Sequence, residues 1–278
     1  MMLAPTRASR QPRPGAGLGW NLAAALLGML LALVMFAPAS WLARAVAAAS
    51  NQQLLITEAR GTVWNGSGML VLTGGGGSRD ASILPGRLSW SIGLHSSGLL
   101  LRASQACCIN GELQMLLNPG MGRFEITLSN QADWLARWPA AWLAGLGTPW
   151  NTLQLGGSLR LSAHDLRLQF AQGLWRQSGQ IDLDLRDLSS RLSTLAPLGS
   201  YRLRITPDGD DSGASSISLS TSDGALLLSG QGSLGGPGKT YFKGEAASAP
   251  GRETALNNLL NIIGRRQGAR SVISIGSA

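Results

Sequence analysis

From about Leu55 to the C-terminus, apolar and polar residues alternate. Leu159 and Leu161, then Leu166, Leu168 and Phe170, are separated by polar partners; Ile181, Leu183 and Leu185 face one way while Asp182, Asp184 and Arg186 face the other. Tyr201, Leu203 and Ile205 repeat the pattern against Arg202 and Arg204. Period-two runs of this kind predict half-buried antiparallel strands. Breakers divide them at Gly74–Gly77, Asn118-Pro119-Gly120, Pro207-Asp208-Gly209 and Gly235-Gly236-Pro237-Gly238. Two stretches have helical spacing instead. Asn130 is placed to cap a helix carrying Trp134, Leu135 and Trp138, and Pro139 to restart a second one with Trp142 and Leu143, ending at Gly145. Leu256, Leu259, Leu260 and Ile263 follow i, i+3, i+4, i+7, with Gly264 at the C′ position. The expected fold is mainly β: an antiparallel, curved, multi-stranded sheet with short helices near 131–145 and 252–263. Each helix leads back into a strand, Leu153–Leu161 and Val272–Ile275, which hints at two similar halves.

Before the alternation, Leu18 to Ala37 form one uncharged apolar run. As a helix, twenty residues rise about 30 Å, the thickness of a bilayer's hydrocarbon core. The run is longer than the apolar core of a cleaved leader, although Ala45-Val46-Ala47-Ala48-Ala49 offers small residues to a peptidase. Arg7, Arg10 and Arg13 precede the run and only Arg44 follows closely, so the N-terminus is expected in the cytoplasm and the bulk in the periplasm. Trp20 and Trp41 stand near opposite ends, at headgroup level. Ala24, Gly28 and Ala32 form a small-residue stripe that either admits a partner helix or follows from an alanine-rich composition. The expected organisation is a cytoplasmic tail at 1–17, a transmembrane helix at 18–37, a linker at 38–54 and a periplasmic β-rich domain at 55–278.

The net charge of +8 would suggest nucleic acid in a cytosolic protein. Here only two of 23 basic residues are lysine, the arginines are scattered, and the domain is expected across a membrane from DNA. Nucleic acid is therefore rejected as a partner. With 37 glycines, the composition favours short strands and turns over long helices. The only cysteines, Cys107 and Cys108, are neighbours. Adjacent Cα atoms lie about 3.8 Å apart, below the usual disulfide range, and neighbours on a strand diverge. Two free thiols are the expectation, with a strained bridge or an intermolecular bond as alternatives.

Several fragments imitate reactive motifs. Ser233 to Thr240 ends like a phosphate-binding loop but lacks its first glycine and a following helix. Gly230-x-Gly232-x-x-Gly235 has dinucleotide-fingerprint spacing, yet Gly236-Pro237-Gly238 follows where a helix should open. Asp208-x-Asp210-x-Ser212-Gly213 opens like a calcium loop, but its twelfth position is Leu219 instead of a bidentate glutamate. His95 and His164 stand far apart, without metal-ligand spacing. No catalytic, cofactor or metal residue is assigned, no cofactor is expected, and an enzyme is not expected.

Four segments together carry a resemblance: Gly61-Thr62-Val63-Trp64-Asn65-Gly66; Leu84-Pro85-Gly86-Arg87-Leu88-Ser89-Trp90; Ala196-Pro197-Leu198-Gly199-Ser200-Tyr201-Arg202-Leu203; and Gly224-Ala225-Leu226-x-Leu228-x-Gly230. In this order, behind one N-terminal anchor, they resemble the type II secretion system protein N family. That resemblance implies a bitopic inner-membrane subunit of a machine exporting folded proteins from the periplasm. Other secretion subunits, the secretin or an inner-membrane platform, would be its partners, with a homo-oligomer also open. Trp64 and Trp90 read as core anchors, and Gly66, Gly86 and Gly199 as tight backbone positions. A second reading is a lipid- or hydrophobe-binding periplasmic domain. Helices covering the apolar face of the sheet would favour the secretion subunit, and an open apolar groove the lipid binder.

Overall fold

The computed structural model describes residues 16–209, 213–235 and 240–276. The tail before residue 16, the Gly236-Pro237-Gly238 turn with the loop-like residues up to Lys239, and positions Asp210 and Ser212 of the calcium-like stretch lie outside the described residues. Two compact units divide the chain at Ala37/Pro38.

The first unit contains helix α1 (Ala16–Met35). Along it Leu22, Leu26, Met29, Leu30 and Leu33 are exposed. The side chains of its first turn are outside the described set, and among the described residues no helix is long and apolar enough to cross a membrane.

The second unit opens with Pro38 as N-cap of α2 (Ala39–Ala49). The segment 38–54, expected as a linker, is thus largely helical. Proline has no N–H to lose at a helix start, and the alanine-rich segment after it has high helix propensity. The strands follow in order: β1 (Leu54–Gly61), β2 (Asn65–Thr73), β3 (Ala81–Ile83), β4 (Leu88–His95), β5 (Gly98–Ser104), β6 (Glu112–Gly120), β7 (Arg123–Leu128) and β8 (Ala136–Pro139). A 3₁₀ helix (Ala140–Leu146) and the single turn α3 (Trp150–Leu153) precede β9 (Leu155–Ala171) and β10 (Leu174–Ser190). Then come β11 (Gly199–Pro207), β12 (Ala214–Gly224), β13 (Leu226–Gly235), β14 (Tyr241–Ser248), α4 (Glu253–Ile263), β15 (Arg265–Gln267) and β16 (Arg270–Gly276).

All sixteen strands belong to one open sheet, ordered β1-β2-β4-β5-β6-β7-β9-β10-β11-β12-β13-β14-β16-β15, with β3 beside β2 and β8 beside β9. Every pairing is antiparallel, as the alternation required. Strand neighbours are nearly always chain neighbours, so the sheet is a meander and its turns fall at two ends. The β4–β5, β6–β7, β9–β10 and β11–β12 turns share one end, called here the hairpin end. The β5–β6 and β10–β11 connections, the 3₁₀ helix, α3 and α4 share the other, the helix end.

The helix expected at 131–145 is corrected in its first half. Residues 131–135 form an irregular, bent segment without a helical turn, and β8 pairs with β9 through Ala136–Leu161 and Trp138–Leu159. Trp134 and Trp138 sit four apart, an even spacing that suits a strand face as well as a helix face. Asn130 caps no helix. Its Oδ1 accepts from Asp165 N–H (2.8 Å) and its Nδ2 donates to Asp165 Oδ1 (2.6 Å), holding a bulge in β9 where Asp165 has φ +51°. The C-terminal helix forms as expected, but Gly264 is extended (φ −169°) and not a left-handed cap. A Cβ there would lie 2.6 Å from Val272 O, so close passage of β16 is what needs the glycine. Asn118-Pro119-Gly120 does not break β6, which continues to Gly120 past its last pairing with β5 (Leu99 with Leu117). Beyond that point Pro119 has no β5 ladder to serve.

Candidate functional surfaces

The four segments that carry the family resemblance meet in two pairs. In the first, Trp90 is buried, and its indole N–H donates to Val63 O at 3.0 Å. Gly66 lies under the ring: a Cβ there would come within 2.6 Å of Trp90 Cζ2. Leu84 is fully buried, and Gly86 turns the chain at φ +81° while the buried Gln105 amide donates to Pro85 O and Gly86 O. Trp64 is only half-buried. In the second pair, Leu226 N–H donates to Leu198 O (3.0 Å) and the buried Tyr201 hydroxyl donates to Leu226 O (2.9 Å). Burial raises the Tyr201 pKa far above its ordinary value, so it stays a neutral donor. Gly224 (φ +132°) passes so close to Gly199 that a Cβ would collide with the Gly199 Cα. Each motif is therefore half of a packing knot, and none presents a reactive group.

Cys107 and Cys108 are joined as a disulfide, correcting the expectation of free thiols. They lie in the turn 106–108, where consecutive side chains need not diverge as they do on a strand. Cys107 is exposed, its Sγ 2.7 Å from Pro85 O; Cys108 is buried, and its carbonyl accepts from Arg137 N–H at 2.8 Å. The pair thereby sits between the Leu84–Gly86 turn and β8, hydrogen-bonded to the latter through the Cys108 carbonyl. Arg137 lies over the Trp134 ring at 5.0 Å, and Trp138 and Trp142 stack at 6.0 Å, so these tryptophans pack with neighbours on the protein itself.

Directly paired residues of an antiparallel ladder point to the same side of the sheet, so the register traces each face. The polar face carries cross-strand ion pairs between β10 and β11: Asp184 with Arg202 (2.7 Å) and Asp182 with Arg204 (2.8 Å). Burial alone would raise the Asp182 pKa, but hydrogen bonds from Arg204 and Gln180 and the charges of Arg204 and Arg202 hold it below the usual carboxylate value. The hydrogen bond that Arg202 donates to Asp184, with the charge of that carboxylate, raises the Arg202 pKa.

The apolar face behaves differently at its two ends. Toward the helix end, Leu159, Leu188, Leu198, Tyr201, Leu226 and Ala246 form one buried cluster with Leu153 of α3 and Leu256, Leu259 and Leu260 of α4. Ser271 Oγ donates to Leu260 O and ties α4 down. Toward the hairpin end, Leu94–Leu99–Leu117–Ile126–Leu168 run in register across β4, β5, β6, β7 and β9. Phe124–Phe170–Trp175 form the next row, the last two rings 5.2 Å apart. The helices pack on β1–β3, β9 and β14–β16, and none packs extensively on β4–β7. Half of the face is covered and half is open.

At the helix end a cleft of about 690 Å³ is lined by residues including Asp80, Ser82, Asn151, Gln154 and Arg191. Asn151 Nδ2 already donates to Asp80 Oδ2 there, and the lining is mixed and shallow. His95 sits at the hairpin end of β4, and His164 of β9 pairs with Gln180 of β10. Among the described residues no three His, Cys, Asp or Glu side chains converge on a metal-sized space. Gly230 and Gly232 lie inside β13, where Phe242 packs against them.

Fold and packing define a class: an open antiparallel scaffold whose recurrent residues lock backbone against backbone, leaving faces and edges as its working surfaces. The family described as type II secretion system (T2SS), protein N, matches residues 52–273, nearly the whole sheet. The chain belongs to that family and is a component of type II secretion, acting at the cell envelope together with other components of the system. No curated protein and no solved structure matches it.

Proposed function

We propose that this protein is a non-enzymatic subunit anchored in the inner membrane by α1. Its sheet stands in the periplasm and assists export of folded proteins through contacts with other subunits of the machine. The family match along the sheet carries this reading. The anchor is supported by a 20-residue helix without a charged residue and by apolar side chains exposed along it. Orientation with the N-terminus inside is supported by Arg7, Arg10 and Arg13 ahead of it. A tether holds the sheet near other membrane-bound subunits and so raises its effective concentration toward them.

For the contact itself, β15 is the suitable element. It ends the strand order, pairs with β16 on one side only, and exposes Arg265, Arg266 and Gln267. An unpaired edge accepts a strand from a partner, and its arginines suit an acidic one. At the opposite border α2 packs along β1. Deleting the gene should lower export, or alter secretin assembly, while cargo synthesis and delivery to the periplasm stay unchanged; normal export would contradict the reading. The lipid-binding alternative draws on one observation, the uncovered apolar rows at the hairpin end.

A further inference from the structure

The hairpin end concentrates solvent-exposed apolar side chains. Leu94 is 93% exposed near the end of β4, Met121 is fully exposed in the β6–β7 turn, and Trp175 is half exposed at the start of β10 beside the exposed Leu174. These belong to the β4–β5, β6–β7 and β9–β10 hairpins, which are consecutive in the sheet, so their tips form one rim. Arg123 and Arg176 are exposed on the same rim. The in-register rows Leu94–Leu99–Leu117–Ile126–Leu168 and Phe124–Phe170–Trp175 run inward from it. Scattered exposed apolar residues are ordinary, but several gathered on adjacent tips above an open apolar face mark a contact surface.

Where the tether joins the unit identifies the occupant. Pro38, the first residue of the unit, pairs with Thr62 in the turn between β1 and β2. That turn lies toward the hairpin end, because Ile92, three residues before the β4 tip, donates its N–H to Trp64 O (2.6 Å). The chain therefore enters this unit at the hairpin end, the end where the apolar tips project. A tryptophan, leucine and methionine rim with arginines beside it is the composition of an interfacial membrane contact: apolar groups enter the acyl boundary and guanidinium groups meet lipid phosphate.

We infer that the hairpin end rests on the bilayer, with Leu94, Met121 and Trp175 entering the outer leaflet of the inner membrane. This rests on the anchored reading of α1. The sheet would then stand upright on the membrane, hairpin tips down, with the helix end and the bulk of the β15 edge presented away from it.

The test uses the full chain reconstituted in phosphatidylethanolamine–phosphatidylglycerol vesicles. A genetically encoded fluorescent amino acid replaces Leu94, Met121 or, at the helix end, the exposed Thr194. Spin-labelled lipid should quench most of the emission at positions 94 and 121 and little at 194. Quenching absent at 94 and 121, or equal at all three, in chains that resist carbonate extraction overturns the inference while leaving the anchor standing. Release of the chain by carbonate overturns the anchor, and the inference falls with it. Because each position is solvent-facing, the substitutions should leave thermal unfolding unchanged, which separates a docking effect from misfolding.

Discussion

One apolar face, continuous across the sheet, meets two different fates in this protein. At the helix end Leu153, Leu256, Leu259 and Leu260 close over Leu159, Tyr201 and Leu226, and nearly every atom there is out of water. At the hairpin end the same alternation continues through Leu94, Leu99, Leu117, Ile126 and Leu168, and no helix arrives to cover it. Periodicity shows only which side of a strand is apolar. Whether that side becomes core or contact surface depends on where the chain's few helices go. Here the 3₁₀ helix, α3 and α4 all enter at one end of the meander while α2 lies along the β1 border, so burial is concentrated at the helix end and the face of β4–β7 stays open at the other.

Substitutions at the two ends should therefore differ sharply. Leu260→Ala in α4 removes a fully buried side chain from the cluster and should cost about 2–5 kcal/mol, read as a large fall in melting temperature. A small change there would mean that α4 does not seal the face. Tyr201→Phe keeps the packing but leaves Leu226 O without its hydroxyl donor; a loss of about 1–3 kcal/mol is expected from the same melts. Asp182→Asn on the polar face should cost less, about 1 kcal/mol, since Arg204 remains partly solvated. Its pH signature is specific. The Asp182 pKa is lowered in the folded protein, so the ion pair stabilises above the ordinary carboxylate pKa, and that contribution disappears as pH falls through the folded value. Acidification should thus destabilise the parent chain more than the variant. Met121→Ser at the hairpin end should change stability by less than about 0.5 kcal/mol, although it removes an apolar side chain.

Much of the sheet was legible in the residues. The long alternating runs around Leu159–Phe170 and Ile181–Leu185 are the core of β9 and β10, and the Leu256–Ile263 spacing is α4. The misreadings have local causes. Trp134 and Trp138 satisfy helix and strand periods alike, and only the hydrogen bond from Leu135 N–H to Leu161 O and the pairing of β8 decide for the strand. The β9 bulge at Asp165 is invisible because a bulge residue needs no special type, yet it explains why the apolar positions pass from odd (Leu161, Ala163) to even (Leu166, Leu168) without changing faces. The divergence of neighbouring side chains holds on a strand, and Cys107 and Cys108 sit in a turn. The two knots were half legible: the glycines announced close approach, but that Gly66 receives Trp90, and Gly224 receives Gly199, is a long-range fact. The open rim depends on where three turns fall in the meander, and the sequence carries no mark of it.

In-cell photocrosslinking from three positions, Arg266 on the β15 edge, Met121 on the hairpin rim and Thr194 at the helix end, compares these surfaces in a single experiment. The account predicts secretion-system subunits captured from Arg266, lipid captured from Met121, and little from Thr194. Lipid alone from every position, with no secretion subunit captured, would contradict it and put a hydrophobe-binding domain in its place.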